Sequence, residues 1–127
     1  MKEKSTATPT RAEMEILQVL WRLGPSTVRK VYEDLGQRTG YTTILKLMQI
    51  LHDKGLLERE EVGRAHVYKA RISETGGTGR FMQDLIGRVF GGSPARLVMQ
   101  ALGAGQPSRE ELAKIRQMLN ELEKKQK

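Results

Sequence analysis

The chain has 127 residues, 38% of them hydrophobic and 29% charged, with a formal net charge of +7. That length makes one domain, or a small domain with an appendage. Zero cysteines exclude disulfides, thiolate metal ligands and cysteine nucleophiles together, and no window approaches the ~20 apolar residues of a membrane span.

The opening "MKEKSTATPT" has no apolar run, so no secretory signal is expected and a cytoplasmic protein fits best. The positive charge favours an anionic partner without identifying one. There are 13 basic against 9 acidic residues up to Ile72, and 9 against 6 beyond it. No single tail carries the excess, so any footprint on nucleic acid has to come from where the fold places its charges.

Residues 1–9 are polar, lack periodicity and end in Pro9, which predicts a disordered tail. Thr10-Arg11-Ala12-Glu13 then has the capping-box pattern, in which a hydroxyl and a carboxylate satisfy orphan backbone N–H groups. The helix that follows carries Met14, Leu17, Leu20 and Trp21 on one stripe and stops at Gly24-Pro25. A second helix starts at Ser26 or Thr27, buries Val28, Val31, Tyr32 and Leu35, and fades at Gly36. In the third, "TTILKLMQILHDKGLL", Ile44, Leu47, Met48 and Leu51 recur at the three- and four-residue steps of one buried face. Gly55 after Lys54 is its stop signal.

The period then changes from helical to two. "LLEREEV" and "AHVYKARI" are strand-like runs separated by Gly63-Arg64, a tight hairpin turn. Three short helices followed by a two-stranded ribbon is the order of a winged helix-turn-helix over residues 10–73. "SETGGTG" reads as a linker, residues 74–79. Helical pattern returns over residues 80–127: Phe81, Leu85, Ile86 and Val89 mark one helix, closed by Gly91-Gly92. Ser93-Pro94 opens another in cap-then-proline order, with Leu97, Val98, Ala101 and Leu102 on one side. Ser108-Arg109-Glu110-Glu111 is a second capping box, and Leu112, Ile115, Leu119 and Leu122 follow at steps of three, four and three. The predicted fold class is mostly α, an α+β winged helix-turn-helix with a C-terminal helical domain of three helices.

Opposite its buried face, the third helix presents Thr42, Lys46 and Gln49. A solvated surface would look the same. The position of this helix, third of three and followed by a hairpin, is that of the element that enters the major groove in this architecture. Small hydroxyl residues in its first turn let backbone N–H groups approach phosphate. Threonine can touch a thymine methyl, glutamine can pair bidentately with adenine, and lysine can reach guanine or phosphate. Arg64, at the hairpin tip, fits a wing residue reaching the minor groove or backbone. Tyr41 can either contact phosphate or staple the helix start by packing. Glu58, Glu60 and Glu61 would repel DNA in the groove, so they are expected at the base of the wing or facing away from the duplex.

The order "AEMEILQVLWRLGPSTVRKVYEDL", "GYTTILKLMQILHDKGLL" and "GRAHVYKA" resembles the BlaI/MecI penicillinase-repressor family, also written with CopY. The resemblance runs from about Thr10 to the C-terminus. Its specific parts are Glu13 with Trp21, "TTI" opening the third helix, "KGLL" at its end, and Gly63-Arg64 with Tyr68 in the wing. It implies a dimeric winged-helix repressor of dyad operators. Thr42, Thr43 and Lys46 stand where base and phosphate contacts are made, Arg64 and Tyr68 stand in the wing, and the C-terminal helices form the dimerisation domain. Ile50 stands where many members carry arginine. Antibiotic-responsive members are released when a membrane sensor-protease leads to a cut in the dimerisation domain, and the matching bond here is Gln100-Ala101. Copper-responsive members use a cysteine-rich C-terminus, which this chain lacks.

Dimerisation also has independent support. A stripe at a/d spacing on a helix of marginal intrinsic stability invites a partner. Phe81, Leu85, Val89, Leu97, Leu112, Ile115, Leu119 and Leu122 are the candidate dimer residues, although packing within one chain would use the same face. The rival functions are a small-molecule-responsive regulator of the MarR type, a winged-helix module used only for protein contacts, and an enzyme. His52 and His66 lie on different elements without a carboxylate cluster, so no catalytic or metal site and no cofactor is expected.

Overall fold

A computed structural model describes residues 7–126 of the chain. The elements follow in the order α1 (Arg11–Leu23), β1 (Ser26–Thr27), α2 (Val28–Asp34), α3 (Tyr41–Asp53), β2 (Leu57–Val62), β3 (Ala65–Ala70), α4 (Glu74–Val89), α5 (Pro94–Gly105) and α6 (Arg109–Lys125). They form two compact units, residues 1–85 and 86–127, with α4 supplying residues to both. No helix among the described residues is long and apolar enough to cross a membrane.

In the first unit α1 begins with the expected box. Thr10 Oγ1 accepts from the Glu13 amide at 3.2 Å, and Glu13 Oε1 accepts from the Thr10 amide at 3.0 Å. Its buried face is wider than the expected stripe, because Ile16 and Val19 are also enclosed. Trp21 sits at the edge of this face, half-buried, its Nε1 donating to the Ile72 carbonyl at 2.9 Å. From α3, Ile44, Met48 and Leu51 complete the core with Val28 and Val31 of α2, and Leu56, Leu57 and Tyr68 close it from the ribbon side. Burial of this order stabilises by about 1.5–3 kcal/mol per large apolar side chain.

The ribbon is a three-stranded antiparallel sheet of order β1-β3-β2. The short β1 pairs Ser26 with Tyr68 and Thr27 with Val67. It carries no alternating pattern of its own, which is why the periodicity missed it. Between β2 and β3 the register sets Leu57 opposite Ala70, Arg59 opposite Tyr68 and Glu61 opposite His66. Directly opposed residues share a face, so these six line the side of the ribbon that contains buried Leu57 and Tyr68. Glu58, Glu60 and Val62 lie on the other side. Val62 pairs with Ala65, which leaves Gly63-Arg64 as a two-residue turn, and Gly63 supplies the φ of +64° that such a turn requires.

Two expectations fail in this unit. Of the predicted tail, residues 1–6 lie outside the described part, but the last three residues are fixed. Pro9 is buried and Ala7 packs on the core. The Ala7 carbonyl accepts from Arg80 Nη1 at 3.2 Å and the Thr8 carbonyl from Lys54 Nζ at 3.4 Å. The "linker" at 74–79 is the first turn and a half of α4, started by Ser73 Oγ accepting from the Gly76 amide at 3.0 Å. Its glycines serve close packing rather than bending. Gly77 is buried against Trp21, and a Cβ there would lie 2.8 Å from the indole Cη2. Tertiary contact overrides the low helix propensity. Further along α4, Phe81 packs against the first unit's core. It is half-buried there, so this candidate dimer residue is in part engaged within its own chain.

The second unit has the two predicted starts. Ser93 caps α5 with Pro94 in its first turn, and Ser108 with Glu111 forms the capping box of α6. Neither helix buries a residue within the chain. Val89, Leu112, Leu119 and Leu122 are exposed, Leu119 by 53%, while Leu97 and Ile115 are half-covered.

Candidate nucleic-acid interface

The outer face of α3 carries Thr42, Thr43, Lys46 and Gln49, all exposed. The residue before the helix is Gly40, which has no side chain to cap the first turn. Its carbonyl accepts the amide of Ile44 at 3.1 Å, so the amides of Tyr41, Thr42 and Thr43 precede the first intrahelical bond and retain the partial positive charge of a helix start. Small hydroxyl side chains at 42 and 43 leave that end open to an approaching anion. The far end of α3 is held firmly. Lys54, its C-cap residue, meets Glu13 at 2.6 Å, and Glu13 is itself only 2% exposed.

Tyr41 does not stand alone. Its ring meets Tyr32 of α2 edge-on, with centroids 5.6 Å apart and an 80° angle between planes, and the Arg29 guanidinium lies 5.4 Å from its centroid. The packing option for Tyr41 is therefore realised, and at 39% exposure the ring remains reachable from solvent. Ile50 is half-buried beside the core face.

Between α3 and the ribbon runs an open groove. Tyr41, Leu45 and Gln49 line it from α3, Thr27 from β1, Arg29 from α2, and Arg59, Arg64 and His66 from the ribbon. Three of those residues are arginines. Lys46, Arg59 and Arg64 have no ion-pair partner among the described residues. Of the acidic residues in β2, Glu58 faces away from the groove beside Arg71 at 3.7 Å, and Glu60 faces away too. Glu61 departs from the expectation. It shares the groove-side face with Arg59, near the tip, and is accompanied there by His66 Nε2 at 3.4 Å.

Of the seven residues predicted for DNA contact, Tyr41, Thr42, Thr43, Lys46, Gln49 and Arg64 are exposed on this side of the unit. Tyr68 is not. It is 1% exposed and belongs to the hydrophobic core, so its ring is the anchor of the wing and not a contact residue. Arg29 and Arg59, which also line the groove, were not among the seven. The hairpin register, countable from Gly63-Arg64, would have set Arg59 opposite Tyr68; nothing in the helical period of α2 singles out Arg29.

Residues 9–121 match the family model described as "Penicillinase repressor". The chain belongs to the penicillinase repressor family. Members of this family are transcriptional regulators and not enzymes. A penicillinase repressor from Bacillus licheniformis is 26% identical over 118 residues, spanning 91% of this chain and 92% of that protein. The methicillin resistance regulatory protein MecI of Mammaliicoccus sciuri is 21% identical over 120 residues, covering 93% and 98%. Among solved structures, the YusO protein from Bacillus subtilis matches with a TM-score of 0.52 at 18% identity, covering 91% of this chain and 75% of that one. A mutant MarR from E. coli matches with a TM-score of 0.52 at 15% identity, covering 89% and 76%. Those two likenesses are ones of fold, and they place this family member among winged-helix proteins.

Proposed function

We propose that this penicillinase-repressor-family chain is a sequence-specific transcriptional repressor that binds a palindromic operator as a homodimer. The observation that carries the reading is the exposed polar face of α3, with its open N-terminal turn, set beside a groove rich in arginine. Thr42, Thr43 and Gln49 meet base edges in the major groove, Lys46 meets guanine or phosphate, and Arg64 reaches the minor groove or its backbone. The dimer forms through the apolar residues that α4, α5 and α6 leave uncovered, among them Val89, Leu97, Leu112, Ile115, Leu119 and Leu122, with Leu85 at the start of this set. Two copies then read half-sites about one DNA turn, ~34 Å, apart.

Release follows cleavage of the Gln100–Ala101 bond in a sensor-protease pathway. Both residues are exposed in α5, and a cut there detaches α6, dissolving the dimer and the avidity of two linked half-sites. The deciding experiment is selection of bound DNA from a random pool, with footprinting at two salt concentrations. An enriched inverted repeat is the expected product, and a pool without one refutes operator binding. Full-length chain recovered from cells in which the operator has been vacated refutes release by proteolysis.

A further inference from the structure

A helix in the major groove and a wing in the adjacent minor groove leave one sugar-phosphate strand between them. In this protein the space between those two elements is the arginine-lined groove. We infer that this groove is the track of the DNA backbone, and that Arg29 and Arg59 are its two phosphate clamps, with Tyr41 the positioning residue for Arg29. The inference rests on the DNA-binding reading of α3 and goes beyond it, because neither arginine lies on the recognition helix or at the wing tip.

The two cations are held in different ways. Arg29 lies over the Tyr41 ring, and Tyr41 is braced edge-on by Tyr32. A guanidinium against an aromatic face keeps all its N–H donors free at the edge while losing much of its rotational freedom before the ligand arrives. Arg59 springs from the middle of β2 opposite buried Tyr68, so the part of the wing anchored in the core carries it. Its guanidinium has no ion-pair partner among the described residues, and neither has that of Arg29. The nearest acidic residue on the same ribbon face, Glu61, is accompanied by His66. The outward-facing Glu58 and Glu60 keep the negative charge of β2 off the track. Contacts of this kind fix register on the duplex and carry no base preference.

The test is operator affinity across 50–200 mM salt for the full-length chain, with thermal melts to certify folding. Each phosphate contact contributes about 0.9 to the slope of log affinity against log salt. Arg29→Ala and Arg59→Ala each remove one contact from both protomers of the bound dimer, so each is expected to lower the slope by about two while leaving the selected DNA sequence unchanged. The affinity advantage of the unaltered protein over either variant then shrinks on the order of tenfold between the two salt limits. Arg29→Lys restores the slope. Tyr41→Ala lowers affinity, and the loss is not additive with Arg29→Ala, as a double-mutant cycle reads. Unchanged slopes in both alanine variants, with Lys46→Ala still weakened, overturn the clamp and leave the recognition helix standing. Failure of the parent to bind any DNA overturns both.

Discussion

Gly77→Ala offers a test in which two ordinary rules give opposite signs. On helix propensity alone, alanine within α4 should stabilise by about 1 kcal/mol. The geometry says otherwise. The new methyl carbon would lie 2.8 Å from Trp21 Cη2 and 2.9 Å from Cζ2, about 0.7 Å inside the ~3.5 Å at which carbon atoms ordinarily meet. Trp21 cannot swing aside freely, because its Nε1 is committed to the Ile72 carbonyl at 2.9 Å. Overpacking of this sort costs roughly 1–3 kcal/mol, and weakening the indole hydrogen bond costs about 1 kcal/mol more. Against the propensity gain of about 1 kcal/mol, the expected net effect is a loss of about 1–3 kcal/mol. Gly79→Ala is the control: nothing lies within 4 Å of a Cβ there, so the propensity gain of about 1 kcal/mol should appear undiminished. Urea unfolding at fixed protein concentration reads both, and the melting temperature should move by about 4 °C per kcal/mol in a chain of this size. If Gly77→Ala proves as stabilising as Gly79→Ala, the packing of α4 on Trp21 is not as described.

Glu13→Ala removes the carboxylate half of the α1 capping box and a buried partner of Lys54, and should cost about 2–3 kcal/mol by thermal or urea unfolding, with Glu13→Gln milder because glutamine can still close the box. Tyr68→Phe should leave operator affinity within about twofold in a gel-shift or anisotropy titration, since a core anchor touches no DNA, whereas Tyr68→Ala should cost about 3–5 kcal/mol of stability. Lys46→Ala is expected to weaken operator binding about thirtyfold, two contacts per dimer at the low end of about 1 kcal/mol each. Leu119→Asp puts a charge into the proposed seam and should convert the dimer to monomer in sedimentation at micromolar concentration; a variant that still sediments as a dimer removes Leu119 from that seam.

Much of this molecule could be foreseen because its signals are local. Capping boxes at Thr10 and Ser108, the stripe Ile44–Met48–Leu51 and the Gly63-Arg64 turn each depend on residues within one element, and all four appear in the structure. What escaped was set by partners distant in sequence. The helix at Gly76-Gly77 needs Trp21, more than fifty residues away, to make glycine an advantage. Tyr68 was assigned by analogy and Phe81 by stripe; the core claimed the first and partly covers the second. Arg29 acquires meaning only through Tyr41, which lies on another helix. The exposed face of α3 was visible in its periodicity; the groove beside it was not, because a groove needs two walls and the sequence describes one element at a time.

The carboxylate of Glu13 accepts the Thr10 amide on one side and meets the Lys54 ammonium on the other. The start of the scaffold helix and the end of the probing helix are thus tied by one knot. On the proposed DNA-binding reading, variation at 42, 43, 46 and 49 redirects which bases are read without altering the pitch at which α3 is presented, whereas a change at 13 disturbs the pitch for every site at once. New operator preferences are therefore expected to arise at the solvent-facing positions, on a mounting that stays the same.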